Sequence, residues 1–385
     1  MVWMWRSSRR RECGPVSEFY VYDGDHRVGI LDRYTSIQWL EHHADTGEVK
    51  MVLPATPEAM ELLAEGRKIY NTDTATAARV AERQLTDNGK TPTLTVRCIT
   101  GAATLDRRVV MGTVHVQDAE TGMRALVEQN LRGLPLGLAE ASGISVPLDT
   151  QISWGNVLDG EKKLAQLSGL GFGYAFDPRS GSESFFVRHP IDRTVGDGYN
   201  GYLGDDIANI TDIRLTDGKT GCKNVAVVAG AGEGGDRKVV VVGSGEGDER
   251  RELYVDARDL GTSYQTATDT GEVDEDGNPI YEYTTTAYSD EEYSAMLTAR
   301  GMEKLAECGV TFTLAAEAAD GGAMTYGIDY GLGDILPIKL TKYGVLAAAR
   351  VSGVKITYEA TGRRVEPILA DFKVESAAAA LSLRR

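Results

Sequence analysis

Val225-Ala226-Val227-Val228 leads into Gly230-Ala231-Gly232-Glu233-Gly234-Gly235, and then Arg237-Lys238-Val239-Val240-Val241-Val242 follows. An apolar strand ahead of G-x-G-x-x-G opens a dinucleotide-binding βαβ unit only if a helix N-terminus stands behind the glycines to receive a pyrophosphate. Here four valines in a row follow instead, and β-branched side chains favour strand over helix. Glu233 inside the loop would also repel a phosphate. The stretch therefore reads as strand, glycine-rich turn, strand, and without G-K-[ST] it is no P-loop.

Outward from this hairpin the same punctuation recurs. Residues 222–258 form a strand-turn-strand block, and 261–287, polar, acidic and rich in Thr and Tyr, reads as a long loop or an extended hairpin. Ser289 to Cys308 is a helix: Ser289 and Glu292 fit a capping box, Asp290 and Glu291 favour the positive end, and Gly309 stops it. Its expected buried positions are Tyr293, Met296, Leu297 and Leu305. Residues 310–372 are again strand and turn.

On the N-terminal side, Glu18 to Tyr22, Arg27 to Leu31 and Ser36 to Leu40 are short runs bounded by Asp and Gly, the pattern of an antiparallel meander. Thr56 at the N-cap, Pro57 at the first helical position and Gly66 beyond the end frame a short helix, Pro57 to Glu65. Leu94 to Ile99 alternates as a strand does. Thr121 to Arg132 has helical spacing at Met123, Leu126, Val127 and Leu131, and Val157 to Leu167 reads as a weaker helix interrupted by Gly160. Gly173 to Phe176 and Ser184 to Arg188 flank Asp177-Pro178-Arg179-Ser180-Gly181 as a hairpin.

The chain is thus α+β, predominantly β, and not an alternating βαβ protein. The expected divisions are a basic arm (1–17), a β domain (18–115), an α+β domain (116–220), a block of hairpins, acidic loop and capped helix (221–310), a C-terminal β segment (311–374) and a tail (375–385). At 385 residues it is long enough for two or more cores, since one core rarely grows past roughly 250–300 residues.

With 57 acidic against 41 basic residues the formal net charge is −16, which disfavours sequence-independent nucleic-acid binding. No apolar stretch approaches the roughly 20 residues of a membrane-spanning helix, so no membrane insertion is expected. Nor does an apolar run of signal-peptide length follow the basic start. The four cysteines (Cys13, Cys98, Cys222, Cys308) show no C-x-x-C pair and read as small buried thiols. The five histidines (His26, His42, His43, His115, His189) contain no H-E-x-x-H. Adjacent His42 and His43 point to opposite faces of a strand, and the histidines read as exposed or turn residues. No G-x-S-x-G elbow is present. No residue is read as catalytic, and no cofactor or metal site is expected.

Seventeen tyrosines against seven phenylalanines suit surfaces half apolar and half wet, with Tyr281, Tyr283 and Tyr288 grouped in or beside the acidic segment. Edge packing explains them equally well. Arg107, Arg108, Arg250, Arg251 and Arg258 are nominated as ion-pairing interface arginines, because the guanidinium fork matches a carboxylate. Ordinary surface arginine is the bland alternative.

Several segments together resemble a siphovirus tail-tip protein family, the ReqiPepy type. They are Glu18-Phe19-Tyr20-Val21-Tyr22, Gly29-Ile30-Leu31-Asp32, Leu53-Pro54-Ala55-Thr56-Pro57-Glu58, Leu62-Leu63-Ala64-Glu65-Gly66, Leu105-Asp106-Arg107-Arg108-Val109-Val110 and Asn224-Val225-Ala226-Val227-Val228-Ala229-Gly230. Arg250 to Asp259, Ala299 to Glu307 and Tyr326 to Asp334, ahead of Gly344 and Ala349-Arg350-Val351, extend the similarity over roughly 18–372. The resemblance implies small β-barrel, hub-like domains with helical insertions, a hub-like domain over 18–115 and a β-barrel segment over 311–374, and a homotrimer at the virion tail tip, made in the host cytoplasm. It implies as partners the distal tail protein, the tape-measure protein and receptor-binding or tip proteins. Two other readings stay open, a carbohydrate-binding tip protein and a cell-wall hydrolase. The chain stops soon after its last strand, which reads as leaving no room for a downstream hydrolase domain.

Overall fold

Gly24, at φ +63°, closes the first hairpin: β1 (Phe19–Asp23) returns as β2 (His26–Leu31), with Asp23 opposite His26. Glycine occupies that left-handed conformation without steric cost. The computed structural model describes residues 17–194, 201–207, 209–218, 221–273, 279–308, 311–318 and 324–374. Two units separate, one drawn from residues 1–215 and 313–385, the other from 216–312.

In the first unit β3 (Ser36–His42) and β4 (Glu48–Pro54) form an antiparallel pair. Helix α1 (Pro57–Leu62) follows, and Thr56 Oγ1 accepts the Ala59 N–H as its cap. The helix ends a turn before the expected Glu65. Leu63 leaves the helix to become fully buried, and Arg67 Nη1 donates to the freed carbonyls of Glu61 (2.7 Å) and Leu62 (3.1 Å). Strands β5 (Lys68–Asn71), β6 (Thr76–Thr86) and β7 (Thr93–Thr100) complete the N-terminal meander. Ile37 and Trp39, Val49, Met51 and Leu53, and Leu94, Val96 and Cys98 alternate inward, so one face of the sheet is core.

A smaller α/β layer follows with its own core. It contains β8 (Thr113–Asp118), α2 (Ala119–Asn130), β9 (Gly137–Leu138), β10 (Pro147–Ser153), α3 (Val157–Ser168), β11 (Gly171–Phe176) and β12 (Glu183–Arg188). Leu126, Val127, Leu164, Phe172 and Phe185 are buried in it. Helix α2 begins two residues before Thr121 because Asp118 caps it, accepting the Thr121 N–H at 3.0 Å. Helix α3 is continuous where an interruption was expected. Gly160 is a point of close approach: a β-carbon there would stand 2.9 Å from Leu126 Cδ2 of α2. The short β13 (Leu203–Gly204) and then β14 (Ile210–Gly218) come next.

In the second unit β15 (Val225–Ala229) is central, with β16 (Val239–Gly243) antiparallel on one side and β17 (Glu252–Asp256) parallel on the other. The glycine-rich stretch is therefore a hairpin connection. Of the two forms expected for 261–287, the hairpin is the one seen: β18 (Ser263–Val273) pairs with β19 (Pro279–Ala287). Helix α4 (Asp290–Glu307) carries the full capping box between Ser289 and Glu292. Tyr293 and Leu297 are buried, while Met296 and Leu305 are only partly so. Gly301 lets the helix press onto the sheet, since a β-carbon there would meet Val228 Cγ2 at 2.7 Å.

The remaining strands are β20 (Thr311–Ala318), β21 (Ile335–Leu340), β22 (Val345–Glu359) and β23 (Gly362–Val374). Strand β22 pairs antiparallel with β3, placing Ile356 opposite Trp39. One sheet thus runs β14-β20-β23-β22-β3-β4-β7-β6-β5-β1-β2, with β21 joining β13 to β22. The fold is predominantly β with few helices, and among the described residues no closed barrel forms. Among them, too, no helix is long and apolar enough to cross a membrane.

Candidate functional site

In the three-stranded sheet of the second unit, alternation sends Ala226, Val228, Val242 and Val255 toward Tyr293 and Leu297 of α4. The opposite set faces outward, with Val239 49%, Val241 55% and Tyr254 61% exposed. Register places Val241, Val227 and Tyr254 in one row across β16, β15 and β17. A half-apolar row on a sheet whose other face packs on a helix is a candidate surface for contact with another protein.

The rim of this row is ordered by arginine. Arg237 donates from Nη1 to Tyr254 Oη (2.8 Å), from Nη2 to the Ala229 carbonyl (2.8 Å) and Asp256 (2.6 Å), and from Nε to the Gly230 carbonyl (2.8 Å). Arg258 grips the same Asp256 through Nε (3.0 Å) and Nη2 (2.6 Å). Hydrogen bonding from Arg258, joined by Arg237, outweighs desolvation and lowers the Asp256 carboxyl to about 2, so it is ionised at any physiological pH.

Of the residues nominated from sequence, Arg258 therefore borders the exposed row, and Arg250 lies nearby on Glu252 (2.6 Å). Arg251 is held through its backbone, its N–H donating to Asn224 Oδ1 at 2.8 Å. Tyr288 packs its ring on Tyr264, centroids 5.0 Å apart. Tyr281 and Tyr283 stand on β19 opposite Asp269 and Ala267, and their side chains lie outside the described residues. Arg107 and Arg108 belong to the first unit. Arg108 closes the C-terminus of α2, donating to the carbonyls of Leu131 (3.0 Å) and Arg132 (3.2 Å), where a cation suits the helix dipole. Sequence reasoning missed Arg237 and Tyr254. The signal lay in the alternation of Glu252-Leu253-Tyr254-Val255-Asp256, which sends Tyr254 outward with the two acids.

His43 corrects the expectation of exposed or turn histidines, being 3% exposed. Its Nε2 lies 3.2 Å from the Gly169 carbonyl, and Nδ1 has no hydrogen-bond partner. Burial first, and the facing guanidinium groups of Arg188 and Arg350, lower its pKa to about 4. The thiols are not uniformly buried either. Cys98 is buried, whereas Cys222 and Cys308 are partly exposed.

A serine, a histidine and a carboxylate converge beside α2. Ser142 Oγ donates to Glu120 and lies 3.0 Å from His189 Nε2, which is itself 3.2 Å from Glu120 Oε2. A nucleophilic relay needs the carboxylate on the other ring nitrogen, leaving the near one free to accept the serine proton. Here both groups address Nε2, and the serine proton is given to Glu120. Burial would raise the Glu120 carboxyl, but the Ser142 hydroxyl and N–H and His189 together hold it below its ordinary range. The cluster is a clasp fastening the 139–146 segment to α2. Among the described residues no group of three or more His, Cys, Asp or Glu is placed to hold a metal.

Comparison with known proteins bears on this geometry. A family model described as siphovirus ReqiPepy6 Gp37-like protein matches residues 18–369. No curated protein sequence matches the chain. Two solved structures share the fold at low identity. The tail protein from Neisseria meningitidis MC58 is 12% identical, with a TM-score of 0.57 over 92% of this chain and 96% of that one. The 43 kDa tail protein of prophage MuSo2 from Shewanella oneidensis is 12% identical, with a TM-score of 0.55 over 92% of this chain and 97% of that one.

Proposed function

The chain belongs to the siphovirus ReqiPepy6 Gp37-like family of phage tail proteins, and on that footing we propose that it is a structural component of the tail tip. In this reading it closes the distal tail tube as a baseplate hub and joins the distal tail ring to the proteins that contact the host. It works as a homotrimer, with the tape-measure protein and receptor-binding or tip proteins as further neighbours. In the trimer, edge strands of neighbouring copies complete small barrel-like rings, which would cover backbone groups otherwise open to unwanted pairing. It is made in the bacterial cytoplasm, functions in the virion and catalyses no reaction.

The observation that carries the reading is the extent of the family match. Residues 18–369 include both the N-terminal meander and the C-terminal strands that pair with it, so the match covers the main sheet except for the last residues of β23 (Gly362–Val374). The exposed Val241–Tyr254 row with its arginine rim adds a surface suited to assembly.

Gold-labelled antibody against the protein, applied to purified particles, tests it. Label confined to the distal end of the tail is the expected result. Particles without label there, with the protein free in the lysate, would overturn the reading. Zymography on host cell walls tests the non-enzymatic part, and a clearing zone abolished by Ser142→Ala would overturn that.

A further inference from the structure

Two residues with left-handed backbone, Arg132 (φ +39°) and Trp154 (φ +37°), each bond to the 109–112 stretch at one corner of the α/β layer. A bulky L-residue holds that conformation only against steric cost, and such outliers gather where function requires a side chain to be presented. Trp154 is 75% exposed, and beside it Met111 is 66% and Val109 55% exposed, while Val110 between them is buried. The corner is held together by its backbone. The Trp154 N–H donates to the Gly112 carbonyl (3.2 Å), and the Val110 N–H to the Gly155 carbonyl (2.7 Å). Arg132 Nη2 donates to the Val109 carbonyl (2.7 Å).

Charge distinguishes this patch from scattered surface apolars. Arg107 and Arg132 are exposed, and among the described residues no carboxylate pairs with either; Arg132 uses one N–H on Asn130 and one on the Val109 carbonyl, two of the five a guanidinium carries. Asp106 brings one exposed carboxylate to this corner, accepting from Asn156 Nδ2 (3.0 Å), and Arg107 with Arg132 outweighs it, a local cationic and apolar spot in a chain of net charge −16. We propose that this corner docks an acidic segment of another protein. The segment would lay an apolar side chain on Trp154 and Met111 and direct carboxylates to Arg107 and Arg132.

Two features narrow the occupant. The 109–111 backbone is already engaged on both sides, since Val109 accepts from Arg132 and the Met111 N–H donates to Asn130 Oδ1 (3.4 Å). An added strand would find no free edge, so the partner docks side chain on side chain. An anionic membrane would face the repulsion of the whole acidic chain across a broad plane, whereas a protein segment brings only the few carboxylates that meet the arginines. Exposed tryptophan and arginine around an apolar centre are also the residues that dominate protein interfaces.

The inference does not depend on the tail-tip reading, and its test works on free or assembled protein. A photo-crosslinking residue replaces Met111 in the full-length chain, expressed in the induced host, and the crosslinked peptide is identified by mass spectrometry. The expected product is a segment of a different protein with Asp or Glu flanking an apolar residue. Its yield should fall about tenfold in Arg107→Glu and in Trp154→Ser. Among the described residues the Arg107 side chain makes no hydrogen bond or ion pair, so that variant should melt as the parent does. No crosslink, a yield indifferent to Arg107→Glu, or crosslinking to phospholipid or to a second copy of the chain would each overturn the proposal.

Discussion

His43 Nδ1 lies so close to the backbone of Gly333 that a β-carbon on that glycine would stand 2.2 Å from it. Gly171 closes in as well, where a β-carbon would lie 2.4 Å from the same nitrogen. The ring is thus enclosed by two glycines, with the guanidinium groups of Arg188 and Arg350 fastened to the carbonyls of His43 and Gly333. This node ties the end of β3 to β11 and to the turn before β21.

Gly333→Ala should therefore be strongly destabilising. Gly333 sits at φ +93°, which alanine resists, and its methyl group would overlap the imidazole. Strain and overpacking together should cost about 3 kcal/mol, read as a lower midpoint in chemical denaturation.

The same ring should make stability depend on pH. His43 has a folded pKa of about 4, against about 6.5 in the unfolded chain. Below 6.5 the unfolded state takes up a proton that the folded state refuses, so stability is lost as pH falls from about 6.5 to 4. Between pH 7 and pH 5 the parent should lose about 2 kcal/mol through this group. Denaturation curves at both values should show that loss reduced in His43→Gln.

Glu161, on α3, has both carboxylate oxygens buried without a hydrogen-bond partner, and burial raises its pKa well above the ordinary value. It therefore keeps its proton to higher pH in the folded state than in the unfolded chain, and stability falls as pH rises above about 4.3, where the unfolded carboxyl ionises. Glu161→Met should stabilise by roughly 1–3 kcal/mol. The gain in melting temperature should be larger at pH 8 than at pH 4.

On the outer face of the second unit, Val241→Lys should stay within about 0.5 kcal/mol of the parent because the position is exposed, and Tyr254→Ser, which also gives up the exposed Arg237 hydrogen bond, should cost no more than about 1 kcal/mol. If that row is an assembly surface, the doubly substituted chain should be missing from purified particles in immunoblots. Normal incorporation would count against an assembly role for the face.

Much of the fold is legible in the sequence. The capping box at Ser289 and Glu292, the Asp23-Gly24-Asp25 turn, and the valine run after the glycine-rich loop all announce local structure through short-range hydrogen bonding and backbone preference. Errors arose where tertiary contact overrode local preference. Gly160 looked like a helix breaker, yet it admits Leu126 of α2. The first helix lost its last turn because the core took Leu63 and Arg67 supplied donors to the open carbonyls. The polar surfaces were the least legible. Arg237 reaches Tyr254 and Asp256 only because β16 and β17 flank the same strand, a neighbourhood no local spacing encodes.

By itself, the sequence determined the element types, most of their ends, the predominance of strand and the family resemblance. Those properties depend on neighbours a few residues apart, through alternation, caps and turn-forming glycines. Tertiary structure alone decided that β22 returns to pair with β3, setting Ile356 against Trp39, and that His43 and Glu161 are sealed from water. Partner choice between distant strands rests on how whole faces fit and exclude solvent. That fit exists only once the chain has closed on itself.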